Sequence, residues 1–230
     1  VEQVLLSRRA VRAFRPDPLE REQVADILRL AAFAPSNSNT QPWRVHVLTG
    51  EPMQRLGQAL LAASREAGAP PLPHFPDPLP AEFAARQAEF AARYYGALGI
   101  DRTDAAARAR QTERNFSFFG APVGLIFTID RRLHRHSWLD LGLFVQNVMI
   151  VARSRGIDTC PQVSFARFQA VIAAQLGLPA QEEIACGMAM GLADTGAAVN
   201  RMSIPRQDVE DFARFAGFEA AAQREAMPAA

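Results

Sequence analysis

Residues 123–129, Val-Gly-Leu-Ile-Phe-Thr-Ile, form a near-continuous apolar run bounded by Pro122 and Asp130. A strand with one wet face alternates apolar and polar residues; this run does not, so it reads as a central strand buried on both faces. That reading governs the fold, because apolar elements must then cover the strand from two sides. Residues 184–191 offer a second apolar strand, and residues 138–153 a covering helix. In that helix Leu139, Leu141, Leu143, Phe144, Val145, Val148, Met149, Ile150 and Val151 surround the axis almost completely. A helix apolar all round is buried in a core or at a subunit interface. We read it as a central helix shared with a partner protomer, with Gly142 allowing close approach and Ser137 or Asp140 as its cap.

The remaining segments fill in the layers. Residues 2–7 read as a short helix, and residues 19–34 as an amphipathic one, with Val24, Ile27, Leu28 and Ala31 at helical spacing. Residues 45–49 read as a strand, and Met53, Leu56, Leu60 and Leu61 mark a helix to about Ala67. Residues 68–80 hold six prolines and read as an extended lead-in rather than a domain boundary. Helical patterns follow at 83–98 and 104–119; Phe83, Phe90, Tyr94 and Tyr95 give the first an aromatic side, and the pair is expected to form a cap over a site. A strand and irregular turn over 156–164, a helix over 165–176, a loop over 192–205, a helix over 208–215 and an Ala-rich frayed tail complete the chain. Strands separated by helices indicate an α+β or α/β layer architecture in a single domain spanning residues 1–230, with 68–119 as its excursion.

Two polar stretches stand out. Ala34-Pro35-Ser36-Asn37-Ser38-Asn39-Thr40-Gln41-Pro42-Trp43 packs short polar side chains between a helix and a strand. Such residues offer donors and acceptors close to the backbone and can line a polar ligand; the alternative is a helix-ending loop with proline punctuation. Arg8-Arg9-Ala10-Val11-Arg12-Ala13-Phe14-Arg15, just after Ser7, carries four arginines in eight residues, which is either a solvated basic turn or an anion site. With 25 basic against 24 acidic residues there is no global argument for nucleic acid or an anionic membrane. Every basic residue is Arg, so lysine Schiff-base chemistry is excluded. Cys160 and Cys186 sit in apolar segments and read as buried thiols of a reducing, cytoplasmic compartment, and no signal peptide or membrane span is visible. His134 and His136 have no acidic or Cys partner at ligand spacing, so no metal is assigned.

The Ser7–Phe14 stretch, the Ala34–Trp43 loop and the late pair Gly156-Ile157-Asp158-Thr159-Cys160-Pro161 and Gly187-Met188-Ala189-Met190-Gly191 together resemble the FMN-dependent nitroreductase family, in its 4-nitrobenzoate-reductase-like branch. The resemblance runs from Leu5 to about Phe215. It implies an α+β fold with a central mixed sheet packed by helices, in an intertwined homodimer with FMN at the subunit interface. It implies that Arg8 and Arg9 hold the phosphate and ribityl region, with Arg201 and Arg206 at the phosphate. Arg12 and Asn115 match positions beside the pyrimidine edge, and Pro161, Gln162, Val163 and Ser164 match the turn near flavin N5 and O4. Pro35, Ser36, Asn37, Asn39 and Gln41 match the loop that the second subunit lays against the flavin, which leaves Trp43 a packing role. Ala10 departs from the Ser common at its position. The implied activity is transfer of hydride from NADH or NADPH to FMN, then reduction of a small nitroaromatic or quinone by a ping-pong mechanism, with no side chain as obligatory acid or base. Enone reductases and reductive dehalogenases share the resemblance, and a non-catalytic FMN-binding redox sensor is the rival outside catalysis.

Overall fold

The computed structural model describes residues 1–66 and 75–218. Pro70, Pro71, Pro73 and His74 of the lead-in, and the Ala-rich tail after Phe218, lie outside the described residues. Four strands form one sheet: β1 (Arg44–Leu48), β2 (Val123–Asp130), β3 (Asp158–Gln162) and β4 (Glu182–Gly191), in the order β1-β2-β4-β3. Every neighbouring pair is antiparallel, with Val45 opposite Phe127, Ile126 opposite Gly187 and Cys160 opposite Ala189. The expected mixed character is confined, among the described residues, to one parallel bridge between Ala10 and Thr159.

The apolar run is the inner strand β2, and its side chains alternate between two cores. Leu125, Phe127 and Ile129 join Val24 and Ile27 of α2 (Arg21–Ala31) and Leu141, Phe144 and Val148 of α6 (Arg135–Ser154) on one side. Ile126 joins Leu56 and Leu60 of α3 (Gly50–Glu66), Phe116 and Phe118, and Ile172 of α7 (Gln169–Leu176) on the other. Glycines let the second layer close. A Cβ on Gly124 would sit 2.6 Å from the Phe118 ring, and one on Gly187 would sit 2.8 Å from the Phe165 ring. These two rings pack against each other at 4.9 Å between centroids.

Several expected elements are shorter or tighter than their sequence pattern. The helix expected over 104–119 stops as α5 (Ala105–Glu113) and tightens into a 3-10 segment, Arg114–Gly120. Phe118 and Phe119 there adopt φ of 50° and 54°, a conformation that turns both rings into the core just before Pro122. Residues 163–168 are likewise 3-10 before α7 begins. The last helix shrinks to one turn, α9 (Val209–Phe212), and the loop after β4 contains a turn, α8 (Ala198–Arg201). The first helix is α1 (Glu2–Ser7), and the aromatic-sided one is α4 (Ala81–Ala97).

Helix α6 begins at Arg135, so neither Ser137 nor Asp140 caps it; His134 stands at the N-cap without a side-chain bond. Its burial is one-sided within the chain. Asp140, Leu141, Phe144, Val148, Met149 and Ala152 face inward, whereas Leu139 is 63% exposed and Leu143 is 39% exposed. The outer face thus presents Leu139, Gly142 and Leu143, flanked by His136 and Gln146, and the described residues leave it uncovered. Trp43 stacks on Phe144 with ring centroids 4.8 Å apart, which fixes it as a packing residue.

Candidate functional site: an arginine cleft built from both ends of the chain

The N-terminal arginine segment is laid along the edge strand β3. Val11 N–H donates to Thr159 O at 3.0 Å, beside the Ala10–Thr159 bridge. Further on, Arg15 N–H donates to Leu192 O at 2.9 Å, and Asp194 N–H to Ala13 O at 3.0 Å. Arg153 braces the start of the segment, donating to Ser7 Oγ and to the Asp158 carboxylate, both at 3.0 Å.

Asn200, on α8, is the residue that binds the two chain ends together. It is 6% exposed. Its Oδ1 accepts from Arg12 N–H at 2.8 Å, and its Nδ2 donates to Ala13 O at 2.7 Å and Asp194 O at 2.9 Å. Its backbone carbonyl accepts from Arg9 Nη1 at 3.0 Å. Sequence reasoning missed Asn200, because a single Asn in an irregular loop carries no periodic or motif signal.

The result is a cleft of about 670 Å³ in which Arg8, Arg9 and Arg12 meet Arg201 and Arg206. Among the described residues none of the five forms an ion pair with a carboxylate; the arginines that do are others, such as Arg15, Arg44 and Arg153. Arg201 and Arg206 instead donate to nearby carbonyls, including those of Gly196 and Ile204. Burial, and then the neighbouring Arg206 charge, pull Arg8 below the ordinary arginine range. Like charges gathered without counter-ions raise the energy of the empty cleft, and a phosphate-sized anion relieves it. Ala10 lines the same cleft and brings no side-chain donor to it.

A second group lies where β3 ends. Gln162 Nε2 donates to Asn115 O at 2.9 Å and to Asn115 Oδ1 at 3.2 Å, so these two expected residues are in direct contact across 47 positions of sequence. Gln162 Oε1 and Ser164 Oγ are buried and have no hydrogen-bond partner among the described residues. Buried polar atoms left this way mark a place for a ligand or water. Pro161 and Val163 flank them and are exposed, Val163 by 54%. Cys160 precedes the turn; burial pushes its thiol up to about 11, so it stays an inert thiol.

The loop with Pro35, Ser36, Asn37, Asn39 and Gln41 does not line the arginine cleft of its own chain. It is anchored to α6, where Asn37 N–H donates to Asp140 Oδ2 at 3.1 Å. Gln41 N–H donates to Ser36 Oγ at 3.0 Å, and Ser38, Asn39 and Gln41 all have positive φ (51°, 55° and 47°). Three non-glycine residues in the left-handed region within four positions is a costly backbone, of the kind held at ligand contacts. The loop is a preformed, mostly exposed ridge.

Elsewhere, an open cavity of about 420 Å³ lies between α3 and the 3-10 segment after α5, and it contains none of the expected site residues. Among the described residues no group of three or more His, Cys, Asp or Glu side chains converges, and no helix is long and apolar enough to cross a membrane.

The nitroreductase family matches residues 5–192. The 4-nitrobenzoate reductase of Pseudomonas putida is 53% identical, over 94% of this chain and 95% of its own length. The nitrobenzene nitroreductase of Ectopseudomonas oleovorans is 44% identical, over 94% and 96%. The crystal structure of the FMN- and NADPH-dependent nitroreductase NfnB from sphigopyxis sp. strain HMH superposes with a TM-score of 0.90 at 35% identity, covering 94% of this chain and 99% of that one. NfnB from Mycobacterium smegmatis, an FMN-dependent nitroreductase solved in complex with NADPH, gives a TM-score of 0.89 at 34% identity over 94% and 97%. A family match over most of the chain, relatives at this identity and the shared fold lead to one conclusion: the chain belongs to the nitroreductase family.

Proposed function

We propose that this protein is an FMN-dependent oxidoreductase that takes hydride from NADH or NADPH and reduces nitroaromatic compounds, working as a homodimer with FMN at the subunit interface. The observation that carries the reading is the cleft itself: five arginines without carboxylate partners among the described residues, gathered from residues 8–12 and 201–206. The donor set fits the cofactor. Arg8, Arg9, Arg201 and Arg206 supply forked donors for a phosphate, and the cleft is of a size that holds a cofactor. Arg12 and the Asn115–Gln162 pair supply the mixture of charge, donor and acceptor that a pyrimidine edge requires. The unpartnered Gln162 Oε1 and Ser164 Oγ give it further polar contacts at the Pro161–Ser164 turn.

FMN, when bound, supplies the redox chemistry, accepting hydride from the nicotinamide and passing two electrons to the acceptor. The chain's residues bind, orient and provide electrostatics, and no side chain is assigned as an obligatory acid or base. One open site serving both substrates in turn makes the kinetics ping-pong. The Pro35–Gln41 ridge, turned away from its own cleft, is assigned to the partner's flavin, and the uncovered Leu139–Leu143 face of α6 to the dimer contact. The described part of the excursion, residues 75–119, is assigned as the cap of the site within a single domain. Bound cofactor or substrate is expected to slow limited proteolysis in that segment.

The named activities of the relatives on 4-nitrobenzoate, nitrobenzene and chloronitrobenzene support a nitroaromatic acceptor. The test is direct. Purified protein should be yellow, bleach on anaerobic addition of NADH or NADPH, and regain colour with a nitroaromatic. Protein that is colourless and stays free of flavin after incubation with FMN overturns the reading. A panel adding enones, quinones and halophenols ranks the acceptors.

A further inference from the structure

The aromatic side of α4 has a specific partner. The Arg12 guanidinium carbon lies 5.0 Å from the Tyr94 ring centroid and 5.4 Å from that of Phe90. The two rings sit one helical turn apart, nearly parallel, with centroids 5.6 Å apart and planes 10° apart. Both distances fall within the range of a cation–π contact. Tyr94 is 9% exposed, and its hydroxyl accepts from Gln111 Nε2 of α5 at 2.7 Å; Gln111 is 7% exposed. At its other end the Arg12 backbone N–H donates to Asn200 Oδ1, and the guanidinium itself also donates through Nη1 to Ala10 O at 3.3 Å.

The chemistry of this holder is distinctive. A carboxylate would position the guanidinium but cancel its charge. Aromatic faces hold it by their quadrupole and leave the full positive charge to act on something else. Among the described residues Arg12 has no carboxylate partner, and it faces the cleft together with Phe90. We propose that Phe90, Tyr94 and Gln111 are positioning residues that clamp Arg12 without neutralising it, so that the helical excursion sets how strongly the site favours the reduced, negatively charged form of its cofactor. This rests on the FMN reading above.

The experiment has a cofactor-independent arm and a cofactor-dependent one. In protein without added FMN, the Arg12 Nε–H resonance should be displaced by the two rings in wild type and move toward the ordinary arginine position in Tyr94→Leu. An undisplaced wild-type resonance overturns the clamp. In the second arm, the two-electron midpoint potential of bound FMN is measured by dye-coupled titration for wild type, Arg12→Ala, Phe90→Leu, Tyr94→Leu, Tyr94→Phe and the double variant Arg12→Ala/Tyr94→Leu. Arg12→Ala should weaken the preference for reduced flavin about tenfold, or about 30 mV for a two-electron couple. Phe90→Leu and Tyr94→Leu should each give roughly a threefold loss in the same direction, while Tyr94→Phe, which keeps the ring, should restore most of it.

The double variant should match Arg12→Ala alone, because the rings act through the guanidinium. Additive losses, or ring variants with the wild-type potential, overturn the proposal. Phe90 is half-buried, so Phe90→Leu keeps the test decisive if the Tyr94 variants do not fold. Wild type that binds no FMN removes the functional reading and leaves the resonance test of the clamp standing.

Discussion

Replacing Asn200 by Ala removes one buried side chain and disconnects three backbone groups at once. Arg12 N–H, Ala13 O and Asp194 O each lose their bond to it, at 2.8, 2.7 and 2.9 Å. A neutral hydrogen bond contributes about 1 kcal/mol net, and a buried group left without a partner costs about 1–3 kcal/mol. The Arg12 segment is only half-buried, so water can reach part of what is exposed. The worked loss is therefore about 2–4 kcal/mol rather than the full sum.

Urea unfolding of flavin-free protein measures it, with all variants at one protein concentration because the proposed dimer would make apparent stability concentration-dependent. FMN affinity, from quenching of flavin fluorescence, should fall further than stability alone explains, since the Arg12 backbone loses its side-chain anchor while Arg9 keeps only its bond to the residue-200 carbonyl. Asn200→Asp sharpens the test: it keeps an acceptor for Arg12 N–H but sets a carboxylate oxygen against two carbonyls, and should be no better than Ala. An Asn200→Ala protein within about 0.5 kcal/mol of wild type, with unchanged FMN affinity, would refute the reasoning.

Other substitutions probe separate parts. Arg8→Ala removes a charge-assisted donor from the cleft and should weaken FMN binding by about 1.5–3 kcal/mol, roughly 10- to 150-fold; unchanged affinity in a flavin titration would remove Arg8 from the site. Glu182 reads out the far end of the sheet: burial alone would raise its carboxyl, but bonds from Thr128, His46 and Arg44 outweigh that and hold it below its ordinary value of 4.5. Its contribution is present above that value and lost as pH falls through the lowered one, so the melting temperature of Glu182→Gln should start lower at neutral pH and fall less steeply in acid; equal acid slopes would count against this. A Cβ on Gly142 meets nothing within 4 Å in its own chain, so Gly142→Ala should strengthen α6 by about 1 kcal/mol if that face is free. We expect sedimentation to show a weakened dimer instead, and an undiminished dimer would argue against close packing there.

Much of the fold was legible because its strongest signals are local. The unbroken run of β2 announced burial on both faces, and the two cores around Phe127 and Ile126 are what that pattern demands. The arginine cluster, the polar loop and the Pro161–Ser164 turn were legible as motifs. What could not be read was set by tertiary contact. The collapse of residues 114–120 into a 3-10 turn follows from where the Phe118 ring meets Gly124, not from propensity. Leucines stand on both faces of α6, Leu141 buried and Leu139 and Leu143 exposed, so the apolar pattern alone could not say which side the chain covers. Asn200 and the ring clamp on Arg12 were invisible because both are pairings across long stretches of chain.

The joining of the two chain ends by Asn200 also bears on how the protein folds. The bonds from Arg9 and Arg12 to Asn200 close loops of 191 and 188 residues, whereas β1 and β2 pair across far shorter stretches of chain. Closing so long a loop costs entropy that only a nearly complete fold repays, so the cleft is among the last parts to assemble. Flavin capture during refolding thus reports completion rather than collapse. Cofactor colour should lag the return of secondary structure, because the arginine cleft exists only once residues 8–12 and 200–206 have met.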